Sequence, residues 1–299
     1  MTSSTLPTGG VDLARTLAPL SMLPGDPTLH LGPGRLERAT VTPHGPGTIL
    51  VRWDASTAQA EVETFGDGAG WLAQQAPGLL GLRDDPAGFA PTSPALRDLW
   101  RRHRGDRVAS TGTLWHDLAW FVLQQRVTRG EAAAQWARLV RALGTPAPGP
   151  VDLLVPPAPA VVGRLRYDHL HRFGIERQRA ENLLSAARFA HRLHSRHELE
   201  AGGVLEAVRT VRGVGPWTSG CLAAITYGQA DTVITGDSGI PSMVAWLLAR
   251  EQRADDTRML ELLEPYRPHR YRVIRLVFAA GVKPPRRAPR AAPHEIRGR

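Results

Sequence analysis

Residues 208–224, VRTVRGVGPWTSGCLAA, confine the fold more tightly than any other stretch of the chain. Leu222–Ile225 continue the apolar pattern of a buried helix, so Gly213, Gly215 and Pro216 mark where that helix begins. Proline suits the first helical position, where its missing N–H is no loss. No Ser, Thr, Asp or Asn stands immediately before it as a cap. The first N–H groups therefore face outward, with the positive end of the helix dipole behind them. The pattern predicts two helices joined by a tight turn, with an open helix end that suits an anion such as phosphate. A turn whose glycines serve only dihedral needs fits the same residues.

The full chain has 299 residues, enough for two domains with cores of their own. Its 42% hydrophobic and 22% charged content are those of a globular protein in water. No apolar run is long enough to span a membrane, and MTSSTLPTGG lacks a signal-peptide pattern, so the cytoplasm is the expected compartment. Cys221 is the one cysteine, which excludes a disulfide, a thiolate zinc site and an iron–sulfur cluster held by this chain alone. The net charge of +9 is unevenly spread: KPPRRAPRAAPHEIRGR, residues 283–299, holds six Lys/Arg and one Glu, so five of the nine charges lie there. The remaining charge fits a nucleic-acid partner without requiring one. The Pro- and Arg-rich tail is predicted to be disordered, and either holds DNA non-specifically or aids solubility. Lys283 is the only lysine, so the folded body has no lysine amine with which to form a Schiff base.

The chain reads as mainly α. Residues 1–95 form a small mixed α+β domain, in which ATVTPHGPGTILVRWD supplies two strands around a Pro/Gly turn and AQAEVETFG a third. GAGWLAQQAPGLLGL then reads as a short helix against the sheet, and RDDPAGFAPTSP as a linker. Residues 96–282 form an all-α domain. LWHDLAWFVLQQRV places Leu114, Leu118, Phe121, Val122 and Gln125 near one helical face, and GEAAAQWARLVRALG follows, ended by Gly144. A proline-rich connection leads to the amphipathic IERQRAENLLSAARFAHRL. LEAVRTV runs into the opening motif, and three helices over 241–250, 256–264 and 269–280 complete the domain.

Taken as one unit, residues 203–237 run helix, VRGVG turn, helix, then YGQADTVITGD. This resembles the helix–hairpin–helix DNA glycosylases, whose hairpin is followed by a Gly/Pro-rich loop and an aspartate. Trp217 and Asp237 are 20 residues apart, similar to the family's spacing. Within that superfamily the chain is most similar to the 3-methyladenine DNA glycosylase II branch. FVLQQRVTRGEAAAQWARL resembles the branch's helix with a glutamine beside the DNA, and LEPYRPHRYRVIRLV its late helix behind the pocket.

The resemblance implies an enzyme that rotates a damaged base out of duplex DNA into a pocket and hydrolyses its N-glycosidic bond. It makes Asp237 the carboxylate that stabilises positive charge on the sugar, as in glycoside hydrolysis. A helix cap ahead of Ile240 is the other reading of Asp237. Gly213, Gly215 and Thr218 are expected at the DNA, with Gln125 beside it and Arg126 filling the gap left by the flipped base. A solvated face is the alternative for Gln125 and Arg126. The carbonyls of Arg209, Val211 and Val214 are implied ligands of a monovalent cation, Na⁺ or K⁺, that bridges to phosphate; no other cofactor is expected. Trp217 is a pocket wall or a core residue. Bifunctional relatives carry a lysine at its position, so water is the implied nucleophile here.

Three pocket positions depart from the branch's ring of aromatics. Ser238 follows the catalytic acid, Cys221 lies one turn past Trp217, and His269 replaces a late tryptophan. Such rings favour electron-deficient alkylated purines as they favour cations, so a bulkier adduct or a deaminated base such as hypoxanthine is an alternative lesion. His269 either hydrogen-bonds a base edge or packs in the core. The expected partner is double-stranded DNA with a damaged base, bound by a monomer with no membrane association. The rival is a non-catalytic DNA-binding protein that keeps the hairpin and has lost its pocket.

Overall fold

The computed structural model describes residues 1–21, 25–194 and 201–285, so all of the basic tail beyond Pro285 lies outside the described residues. Strands β1 (Thr2–Pro7), β2 (Leu29–Gly32), β3 (Arg35–Thr42), β4 (Gly45–Asp54) and β5 (Gln59–Phe65) form one antiparallel sheet in the order β1-β5-β4-β3-β2. The three strands expected from the sequence are β3, β4 and β5. β1, TSSTLP, has no apolar alternation and is almost wholly exposed. Main-chain pairing with β5, from Thr2 opposite Thr64 to Pro7 opposite Gln59, is what orders it. Leu36, Ile49, Val51, Ala60 and Val62 of the sheet pack with Leu13 and Leu17 of helix α1 (Leu13–Leu17) and with Leu72, Ala76 and Leu79 of α2 (Ala69–Leu79).

Apart from one short antiparallel pair, Thr145–Pro146 with Leu154–Val155, the regular elements that follow are helices: α3 (Pro94–Arg102), α4 (Leu114–Gln124), α5 (Arg129–Leu143), α6 (Pro159–Gly163), α7 (Tyr167–His171), α8 (Arg177–His194), α9 (Ala201–Arg209), α10 (Pro216–Cys221), α11 (Ile240–Ala249), α12 (Asp256–Leu263) and α13 (Arg270–Ala279). The chain is thus mainly α, with a small α+β portion at its N-terminal end. α4 is buried on every side from Leu114 to Leu123, as its nearly unbroken apolar sequence demands. Among the described residues no helix is long and apolar enough to cross a membrane.

The segment Arg83–Pro94, linker-like in composition, is packed. Asp84 makes a bidentate pair with Arg272 (2.7 and 2.9 Å) and accepts the Val108 N–H (2.9 Å). Both charged side chains are only 3% exposed. Phe89 enters the helical core edge-on to Trp100.

Sheet and helices are locked by a second buried pair. Arg38 of β3 donates to Asp117 of α4 (3.1 Å) and to Thr113 (2.8 Å). Asp117 also accepts from Thr226 (2.8 Å) and, through a short bond, from Thr111. Beside it His116 lies between the hydroxyls of Thr40 (3.0 Å) and Thr28 (3.3 Å). Burial pushes the Asp117 carboxyl up, against the opposing pull of Arg38 and the hydroxyls. Burial also lowers the His116 imidazole, which stays neutral there. Removing one member of such a pair strands the other charge. Asp117→Ala is therefore expected to destabilise by about 3–5 kcal/mol. Glu63→Ala, which opens the exposed pair with Arg52 at 2.8 Å, should change stability by about 0–1 kcal/mol. Urea unfolding of the two variants measures the difference.

Candidate active site

α9 ends at Arg209 and the chain reverses over Thr210–Gly215 before α10 begins at Pro216. Main-chain bonds Val211 N to Val208 O (3.1 Å) and Val214 N to Val211 O (3.0 Å) close the turn. The two glycines have different causes. Gly213 has φ +84°, and a β-carbon there would fall 2.1 Å from Asn182 Cγ. Gly215 has φ −94°, and its β-carbon would meet open space. Gly213 is thus fixed by conformation and contact, whereas Gly215 leaves the helix start uncovered. No side chain caps α10. The helix continues from Cys221 as a π-helical turn over Leu222–Thr226, a form often found near functional sites.

Asp237 comes to this helix from the following loop. Its Oδ1 accepts the N–H groups of Gly239 (2.7 Å) and Ile240 (2.9 Å) at the start of α11, so it does act on that helix end. Its Oδ2 accepts Trp217 Nε1–H at 2.9 Å. Three of the four acceptor positions of the carboxylate are filled, and one remains on Oδ2. Gly236, with φ +78°, donates its N–H to Asp256 Oδ2 (2.8 Å), which holds the preceding residue in place. Trp217 is half-buried and stands edge-on to Phe121 of α4, ring centroids 6.1 Å apart. Cys221 is buried, and burial together with the Asp237 carboxylate pushes its thiol up, so it is a neutral wall of the same site. Ser238 is exposed beside Asp237.

Other expected site residues lie differently. Thr218 is buried, and its Oγ1 accepts from Gln125 Nε2 (3.0 Å), which also donates to Gly213 O (2.8 Å). Gln125 Oε1 accepts from Asn182 Nδ2 (3.0 Å), whose Oδ1 accepts from Gln178 (3.0 Å). The Gln125 and Thr218 side chains therefore face each other across the hairpin. Arg126 is exposed, at φ +62°, with no hydrogen-bond or ion-pair partner among the described residues. His269 is buried under the Arg83–Pro94 segment. Its Nε2 lies 3.0 Å from Ala87 O and its ring is edge-on to Phe89, so that nitrogen is already engaged away from any base. The carbonyl of Val211 accepts Val214 N–H and keeps a second lone pair. Among the described residues no cluster of three or more His, Cys, Asp or Glu could hold a metal ion.

Asn182 and Asp256 were not singled out from the sequence. Asn182 carried a signal, being a polar residue on the apolar face of RAENLLSAARFA, between Ala180 and Leu183–Leu184. Asp256 carried none, since an acid in a first helical turn has an ordinary explanation. Gly213→Ala is expected to cost about 1–3 kcal/mol from backbone conformation, with overlap against Asn182 added. Gly215→Ala should cost about 1 kcal/mol or less. Thermal unfolding of both variants tests the distinction.

No family model matches the chain, and no curated protein matches it in sequence. Solved structures do match it in fold. A 3-methyladenine DNA glycosylase from Archaeoglobus fulgidus superposes with TM-score 0.76 at 19% identity, covering 93% of this chain and 98% of that one. An 8-oxoguanine glycosylase/lyase from Clostridium acetobutylicum superposes with TM-score 0.69 at 10% identity, covering 93% and 96%. The 3-methyladenine DNA glycosylase Mag1 of Schizosaccharomyces pombe, bound to abasic DNA, gives TM-score 0.50 at 14% identity over 64% of this chain and 94% of that one. The fold of this chain is therefore that of these solved DNA glycosylases.

Proposed function

We propose that the protein is a monofunctional DNA glycosylase of base-excision repair, acting as a monomer on duplex DNA that carries an alkylated base. The observation that carries this reading is the Asp237 carboxylate. It is held by Trp217 Nε1, Gly239 N and Ile240 N, with one acceptor position left, beside the open start of α10. When the N-glycosidic bond breaks, its electron pair leaves with the base and C1′ of the sugar becomes positive. A fixed carboxylate stabilises that charge without reorganising. Water then adds to C1′ and gives its proton to the carboxylate, leaving an abasic site. By the resemblance, Trp217 takes the position at which bifunctional relatives carry a lysine, and the only lysine, Lys283, follows α13.

The turn ahead of α10 is assigned to the DNA backbone, with Arg126 at the gap left by the flipped nucleotide. The carbonyls of Arg209, Val211 and Val214 would hold a monovalent cation between the turn and a phosphate. Similarity in fold to enzymes named for 3-methyladenine and for 8-oxoguanine supports excision of a damaged base without choosing between lesions. Trp217 is the ring that reaches Asp237, backed by the buried Phe121, while Cys221 and Ser238 offer no stacking surface. This supports a damaged base less dependent on stacking than a small cationic purine.

Asp237→Asn keeps an acceptor for Gly239 and Ile240 but turns an NH₂ toward Trp217 Nε1–H. Base release from an alkylated duplex under single-turnover conditions should fall by on the order of 10²–10³, with DNA affinity within several-fold of wild type. Release at near the wild-type rate would make Asp237 a helix cap only. Gly215→Asp, whose added β-carbon meets open space, should weaken binding to damaged and undamaged duplexes by the same factor, since phosphate contacts carry no base information. Selective loss for one duplex, measured by fluorescence anisotropy, would remove the phosphate role from this turn.

A further inference from the structure

Arg126 holds a left-handed conformation, φ +62°, with an arginine side chain. Such a residue persists only where its surroundings over-determine it. On its C-terminal side Thr128 caps α5 by accepting Glu131 N–H at 3.2 Å. On its N-terminal side the fixing groups come from one face of α8. Arg179, 3% exposed, donates to Leu123 O (3.0 Å) at the end of α4 and to Gln135 Oε1 (2.7 Å). Asn182, three residues on and so on the same face, donates to Gln125 Oε1. Gln178 braces Asn182 in turn.

The direction of this chain of amides is not free. Gly213 O can only accept, so Gln125 must present Nε2 to it and Oε1 to Asn182. Asn182 must then present Nδ2 to Gln125 and Oδ1 to Gln178. Asn182 also lies against the Cα of Gly213, where no β-carbon fits. One side chain thus touches the hairpin directly and, through Gln125, holds both the hairpin carbonyl and the residue that precedes Arg126.

We propose that Asn182 is a positioning residue for nucleotide flipping: by setting the orientation of the Gln125 amide, it couples the hairpin's hold on the DNA backbone to the turn that presents Arg126. The proposal rests on the glycosylase reading for the roles of hairpin and Arg126, but not on which lesion is excised. With Asn182 in place, seating of the hairpin on a phosphate fixes where Arg126 enters the duplex. Without it the two grips become independent, and gripping the backbone no longer helps to open the base pair.

Asn182→Asp keeps the shape and replaces the donor by a second acceptor facing Gln125 Oε1. Asn182→Leu keeps the volume against Gly213 and removes both bonds. The probe is a duplex with 2-aminopurine beside a tetrahydrofuran abasic analogue, whose fluorescence rises on unstacking, compared with an undamaged duplex in a binding assay. Both variants are expected to stay folded by circular dichroism and to bind the undamaged duplex within threefold of wild type. Their preference for the analogue duplex, and the fluorescence rise, should fall by about tenfold. Adding Arg126→Ala should then bring little further loss, because Asn182 acts through that turn. Wild-type flipping by both variants, equal weakening on every duplex, or additive losses with Arg126→Ala would overturn the proposal. These readouts need no base release, so a wild-type protein that flips but excises nothing refutes the glycosylase reading and leaves the coupling result standing.

Discussion

Asp117 is the point on which the rest of the molecule is assembled. One buried carboxylate takes Arg38 from the sheet, Thr111 and Thr113 from the entry to α4, and Thr226 from the end of the hairpin helix. A buried charge is tolerable only when its hydrogen-bonding positions are filled, so these three elements must meet at α4 in one arrangement. The consequence reaches the site through helix length. Gln125 follows Asp117 by eight residues, and Thr218 precedes Thr226 by eight. The two helices run antiparallel, bonded by Asp117 to Thr226 at one end and by Gln125 to Thr218 at the other. About 12 Å of α4 therefore separates the clamp from the hairpin.

That spacing decides what stands between the two ends. Phe121, midway along this stretch of α4, meets the edge of Trp217, and Trp217 in turn reaches Asp237. The carboxylate that organises the proposed chemistry also receives the first N–H groups of α11. Capping and the proposed catalysis are compatible because they use different lone pairs: two positions on Oδ1 serve the backbone, one on Oδ2 takes the indole, and one is left. A helix terminus is a rigid place from which to aim a charge, and the indole prevents its rotation.

The proposed pocket shows how far a motif can be read before packing takes over. Cys221 is near enough to Asp237 for the carboxylate to push its thiol up, and Ser238 follows Asp237 directly in the chain. His269 has a different employment. The segment Arg83–Pro94 folds over it, Ala87 O meets its Nε2, and Phe89 packs on its ring. Composition marked that segment as a linker, since Pro, Gly and Asp dominate it. Its docking depends on Arg272, which supplies Asp84 with a partner 188 residues away, and no local pattern carries such a pairing.

What the sequence determined by itself was whatever depends on neighbours along the chain. The apolar periods defined the helices, the Pro/Gly turn placed β3 against β4, and the glycines with Pro216 marked the bare start of α10. The 20 residues from Trp217 to Asp237 pointed to the candidate site only through the resemblance to a family's spacing. Tertiary structure decided which polar groups found each other across long separations. It turned Gln125 and Thr218 toward one another, recruited Asn182, withdrew His269 behind Ala87 and strung β1 onto the edge of the sheet by main-chain bonds alone. The reason is physical: local backbone preference is written in each residue, whereas a buried hydrogen bond needs two partners and a geometry that only the assembled fold supplies.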